Sequence, residues 1–256
     1  MTDAVSSRSH RTGLDGAAKA VLAAAASAWL AVLVLALSPW AADFSPGALE
    51  RIGAHPWETA TLAAGWMLMV VAMMLPTTLP LVSLFARTTA GRPDRRRGMA
   101  MLLLAYVAVW LGAGVALHLG DLGIHWLVRH SGWLGHNTWA IEAGTLAGAG
   151  AYQFSRLKAR CLKRCRSPQS FVRRHWRGGN PRTEAWRMGL DHGVYCLGCC
   201  WTLMLVMFSV GVGNVAWMLA LAAVMVAEKT LPVGPRVTAP VGAWLVAGAV
   251  ATVVVG

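Results

Sequence analysis

Charge is what this 256-residue chain has least of. Charged residues make up 13% against 56% hydrophobic, and the mean hydropathy is +0.52. A soluble domain carries about 25% charged residues, so a water-soluble globule is excluded as the body of the protein. Nucleotide loops are missing as well: there is no G-x-x-x-x-G-K-S/T and no G-x-G-x-x-G followed by an acid. ATP bound by this chain therefore drives nothing. No convincing Ser-His-Asp set and no H-E-x-x-H occurs, so an enzyme is not the leading reading. The halves share no obvious repeat, which argues against the usual inverted-repeat transporter.

What is present is long apolar runs. At about 20 residues per crossing they predict an all-α, polytopic transmembrane helical bundle of six or seven spans. The spans fall at roughly 17–42, 58–86, 99–120, 138–155, 188–212, 215–228 and 238–256. The first is too long for the apolar core of a signal peptide, and its small residues Ala23 to Ala26 stand at its start. Residues 1–16 are small and polar and predict a disordered cytoplasmic N-terminus. Residues 17–256 form a single transmembrane domain.

Basic residues fix the expected orientation. Segments 1–19, 87–98, 156–187 and 229–237 hold 3, 5, 11 and 2 of the 23 Lys and Arg, leaving Arg51 and Arg129 on the other side. Lys and Arg are retained in the cytoplasm, so seven spans with the N-terminus inside satisfy the split. In a bacterium this means a multi-pass protein of the inner (plasma) membrane. The net charge of +12 lies in short loops, and nucleic acid is not an expected partner. The basic loop at 156–187 is expected to lie on anionic headgroups, each basic side chain contributing about 1 kcal/mol near the surface.

Of five cysteines, three fall in "HGVYCLGCCW", residues 192–201. On a helix Cys196, Cys199 and Cys200 are i, i+3 and i+4 and share one face, and Gly198 lets a second helix come close. Counted from Arg187 at 1.5 Å per residue, the cluster is predicted near mid-membrane. Packing, redox chemistry and metal binding remain open for it, and metal binding is the favoured reading.

A second sulfur group lies in "GWMLMVVAMMLPTTLP", residues 65–80, with Met67, Met69, Met73 and Met74 ahead of Pro76 and Pro80. Methionine is a common filler of apolar helices, so packing alone is the alternative. Pro76 kinks the span at a depth matching the cysteines. Thiolate and thioether donors without a carboxylate select Cu(I), with zinc second.

Cys161 and Cys165, i and i+4 in "CLKRC", lie in the basic loop, where a reducing cytoplasm opposes a disulfide. Flanking Lys163, Arg164 and Arg166 are expected to lower the pKa values of these thiols. A transient cytoplasmic metal site is one reading, ordinary interfacial residues the other. His192, four residues before Cys196, is a candidate ligand or proton acceptor. Asp191, Glu142, Glu228 and Lys229 are ionisable groups in or beside spans, with capping and anchoring as the alternative for Asp191 and Glu228. His55, His125, His130 and His136 fall in outer loops, where they could catch or release a metal.

Taken in order, "WMLMVVAMMLPTTLP", "CLKRCRSP", "RMGLDHGVYCLGCCWTLM" and "AEKTLP" resemble the uncharacterised bacterial family of predicted metal-binding integral membrane proteins, sometimes labelled copper chaperones. The likeness runs from about Trp57 to Pro235. It implies that Met73, Met74, Pro76, Cys161, Cys165, His192, Cys196, Cys199, Cys200, Glu228 and Lys229 are characteristic residues. The sequence departs in "VGVGN", residues 210–214, where the resemblance implies a methionine in place of Val212 or Gly213.

The expectation is thus Cu(I) handling as chaperone, delivery factor or transporter, through a Cys/Met site between the second and fifth spans. A copper donor or acceptor protein and a homo-oligomer are the expected partners besides the bilayer. The alternative is a membrane thiol-disulfide oxidoreductase using Cys196 with Cys199 or Cys200.

Overall fold

A computed structural model describes residues 3–38, 56–210 and 214–255. Arg51, His55, Val212, Gly213 and the last residues of the predicted first span lie outside them. Among the described residues the chain is helical, without strands. The elements are α1 (Asp3–Leu37), α2 (Pro56–Met73), a 3-10 turn (Pro76–Thr78), α3 (Leu79–Thr88), α4 (Arg95–His130), α5 (Gly132–His136), α6 (Trp139–Gln153), α7 (Arg156–Cys165), α8 (Pro168–His175), α9 (Pro181–Val210), α10 (Val215–Thr230) and α11 (Gly234–Val255).

Four helices are long and apolar enough to cross a membrane: Gly16–Leu37, Arg95–His130, Pro181–Met207 and Gly234–Val255. Ala63–Met73 with Pro76–Thr88, bent by 44°, makes a fifth if the pair is one broken span. Among the described residues the count is four or five, against the six or seven predicted. The shortfall is α6 and α10, of 15 and 16 residues, where about 20 are needed. α6 stops because Ser155 leaves the helical region and caps α7, accepting from the Lys158 N–H. α10 starts only where Asn214 accepts from the Trp217 N–H, 3.2 Å away. The helical backbone of α1 includes residues 3–15, for which composition predicts disorder. Extending an existing helix avoids the cost of a new nucleus.

The break in the second span follows from Pro76. Without an N–H it leaves the Ala72 carbonyl without its helical donor, and Trp29 of α1 donates its indole N–H there at 3.1 Å. Thr77 and Thr78 donate their hydroxyls to Met74 and Leu75 carbonyls at 2.8 and 2.7 Å. Every freed carbonyl named here finds a donor, as an apolar interior demands.

Glycine decides how close the helices come. A Cβ at Gly193 would stand 2.9 Å from the Val109 side chain, and one at Gly150 would stand 2.9 Å from the Gly242 carbonyl. These notches seat α9 on α4 and α6 on α11. The largest core joins buried residues of α2, α4, α7, α9 and α10, and the cysteines lie in it.

Candidate metal centre

Cys196, Cys199 and Cys200 occupy one face of α9 and are all 0% exposed. Their thiols are not equivalent. Cys199 and Cys200 both donate to the Cys196 carbonyl, at 3.1 and 2.9 Å, as thiols commonly do one turn back along a helix. The Cys196 sulfur turns the other way and receives the Lys229 amine at 3.0 Å, with the Tyr106 hydroxyl, itself a donor to the Met74 carbonyl, 3.1 Å off.

The broken span adds the next donor. Because the helix ends at Met73 and turns at Pro76, the Met74 sulfur is carried to 3.9 Å from Cys200 Sγ. Met73 is as well buried in the same core, but Met74 is the methionine that meets a cysteine sulfur. Met69 is buried too, whereas Met67 is only half-buried and packs at the margin of that core.

Lys229 of α10 fills the focus of these groups. Its Nζ is 3.0 Å from Cys196 Sγ, 3.5 Å from Cys200 Sγ and 3.5 Å from Met74 Sδ. Among the described residues no group of three or more His, Cys, Asp or Glu side chains is placed to hold a metal ion.

The second cysteine pair is not a separate site at the surface. α7 is amphipathic, with Lys158, Cys161, Leu162 and Cys165 buried and Arg156, Arg160 and Lys163 outside. Its buried face lies on α9 at Gly198, where an added Cβ would meet Cys161 Sγ at 2.7 Å. Cys165 hydrogen-bonds to both Cys196 and Cys199. Four thiols and a thioether therefore share one interior. Accordingly, the expected lowering of these thiol pKa values is overturned. Burial pushes Cys161 up, and the hydrogen bond to Cys196, with burial behind it, pushes Cys165 up. Of the basic residues that flank them in sequence, Lys163 is exposed, Arg164 lies over the Phe171 and Tyr195 rings, and Arg166 donates to the Glu228 carbonyl.

What pins α7 is an ion pair that sequence reading missed. Lys158 Nζ lies 3.0 and 2.8 Å from the two Glu228 carboxylate oxygens, with both side chains at most 1% exposed. Arg166 also donates to the Glu228 carbonyl. The spacing 158, 161, 162, 165 is i, i+3, i+4, i+7, so the inward position of Lys158 was available from periodicity. Tyr106 was missed as well, and an aromatic hydroxyl inside an apolar run is its only signal.

His192 is 2% exposed, stacked on Tyr106 at 5.5 Å between centroids and edge-on to Phe171 at 5.1 Å. Neither of its ring nitrogens has a hydrogen-bond partner. It lies one turn from Cys196 without touching a sulfur. Asp191 faces away and accepts from His175 Nε2 at 2.9 Å, tying α8 to α9. Glu142 is exposed. His125, His130 and His136 each bond a carbonyl four residues earlier in the chain and form no cluster.

No curated protein and no solved structure matches the chain. A family model does, over residues 63–252, a stretch that begins with the broken span and ends in α11 and so contains every sulfur described above. The chain belongs to that family, PpoB2, whose description is copper chaperone.

Proposed function

We propose that this membrane-associated protein binds Cu(I) at the sulfur cluster and passes it to a partner or across the bilayer. Cys196, Cys199, Cys200 and Cys165 are the thiol donors, Met74 is the thioether, and His192 is a nearby imidazole with free nitrogens. The observation that carries the reading is the convergence of sulfur from three helical segments in one fully buried place. Soft donors without a carboxylate at the sulfurs suit Cu(I) better than a harder ion. A bound cation also offsets the cost of anionic sulfur in an apolar interior.

Copper here is cargo. α7 lies over the cluster on the side with the basic residues, which the positive-inside rule assigns to the cytoplasm of a bacterial inner membrane. Motion of α7 gives the site a cytoplasmic exit. The thiol-disulfide reading has less support, because a substrate thiol must reach the sulfur it attacks, and Cys196, Cys199 and Cys200 are fully buried.

The test is elemental analysis of detergent-purified protein after anaerobic Cu(I) loading, for wild type and Cys196→Ser/Cys199→Ser/Cys200→Ser together. Near-stoichiometric copper in the wild type, lost in the triple variant, is the expected result. Equal and negligible copper in both refutes the reading.

A further inference from the structure

We infer that Lys229 sets the charge of the metal accepted, making the pair Cys196 and Cys200 with Met74 a site for a monovalent soft cation. The inference rests on the metal reading above and goes beyond it by assigning a selectivity and the residue responsible.

Lys158 and Glu228 are paired at 2.8 Å and cancel. Lys229 is 6% exposed, and its contacts are sulfur: Cys196, Cys200 and Met74. A buried ammonium needs an anion. Glu228, its neighbour in the chain, gives both oxygens to Lys158, which leaves sulfur as the counter-charge. Cys196 is the sulfur placed for that role, since its Sγ is nearer the Lys229 amine, at 3.0 Å against 3.5 Å for Cys200, while Cys199 and Cys200 are themselves donors to the Cys196 carbonyl. The resting centre is then neutral, with one thiolate and one ammonium.

Binding uses as thiolates only the two cysteine sulfurs that touch Lys229, while Cys199 and Cys165 keep their protons. Two thiolate-metal bonds form, the Cys200 S–H bond breaks, and its proton goes to solvent. The metal keeps its oxidation state and Lys229 keeps its proton. Two thiolates, one ammonium and one monovalent cation sum to zero. A divalent cation leaves one uncompensated positive charge in a low-dielectric interior, where it is costly. Without the lysine the balance reverses, and the same two thiolates neutralise a divalent ion.

The experiment uses the full chain in detergent without oxygen, with Ag(I) and Cd(II) as probes, each titrated against a chelating competitor. Lys229→Met is expected to lower the preference for Ag(I) over Cd(II) by about tenfold or more, the scale of one unit charge at such distances. Lys229→Arg, which keeps the charge, is expected to retain the preference. Lys229→Gln serves in place of the Met variant if that fails to fold. Wild-type protein provides a readout needing no variant: one proton released per Ag(I) bound if Lys229 is an ammonium in the loaded centre, against two if it is a neutral amine there. An unchanged preference in the uncharged variants, or two protons released, overturns the inference while leaving the metal site standing. A wild type that takes up neither Ag(I) nor Cu(I) refutes the metal reading itself.

Discussion

Lys158 of α7 and Glu228 of α10 form a buried ion pair, Nζ to carboxylate oxygen 2.8 Å, and the next residue after Glu228 is the lysine that sits among the sulfurs. The helix covering the site and the amine inside it are thus tied to one turn of α10. Removing one partner of a buried pair typically costs about 3–5 kcal/mol, because the other charge is stranded. Lys158→Met is expected to lose stability on that scale, and Lys158→Met/Glu228→Gln to recover most of it. Thermal denaturation in detergent checks both.

Gly198 is the seat of Cys161. Gly198→Ala puts a methyl 2.7 Å from Cys161 Sγ, so α7 must move or the helix must shift. The expected outcome is weaker Cu(I) binding, restored by the second substitution Cys161→Ala, which removes the clashing sulfur. Failure of the double variant to regain affinity would mean that Cys161 is itself a donor.

Adjacent methionines give a paired comparison. Met74→Leu removes the sulfur that stands 3.9 Å from Cys200 Sγ and is expected to weaken Cu(I) binding roughly tenfold, or about 1.4 kcal/mol. Met73→Leu conserves volume in the same core and is expected to leave affinity unchanged. Competition with a Cu(I)-selective chelator reads both, and equal effects would show that the methionines only pack.

Tyr106→Phe deletes a hydroxyl that is 3.1 Å from Cys196 Sγ and 3.3 Å from the Met74 carbonyl. One buried hydrogen bond contributes about 1 kcal/mol. The melting temperature of the metal-free protein is expected to fall accordingly. Copper stoichiometry is expected to stay intact, because the hydroxyl is not a soft donor.

Much of the site was legible because helical spacing fixes which side chains share a face. Cys196, Cys199 and Cys200 lie on one face of α9 wherever α9 sits, and Met74 lies just before a proline that must break its helix. Lys158 was legible by the same rule and was passed over because a lysine in a basic loop reads as solvated. The span count was less accessible. Apolar runs register hydropathy, while the caps at Ser155 and Asn214 set where α6 and α10 actually stop.

By itself the sequence determined the helical class, the shared face of Cys196, Cys199 and Cys200, the notch at Gly198 and the break at Pro76, since each follows from composition or from local backbone rules. Only the tertiary structure decided that two cysteine motifs, 31 residues apart from Cys165 to Cys196, form one centre, and that an amine stands within it. Those facts depend on α7 folding back over α9 and on α10 returning beside both. Such returns are fixed by long-range pairing between Lys158 and Glu228 and by close packing at glycine, which no local pattern encodes.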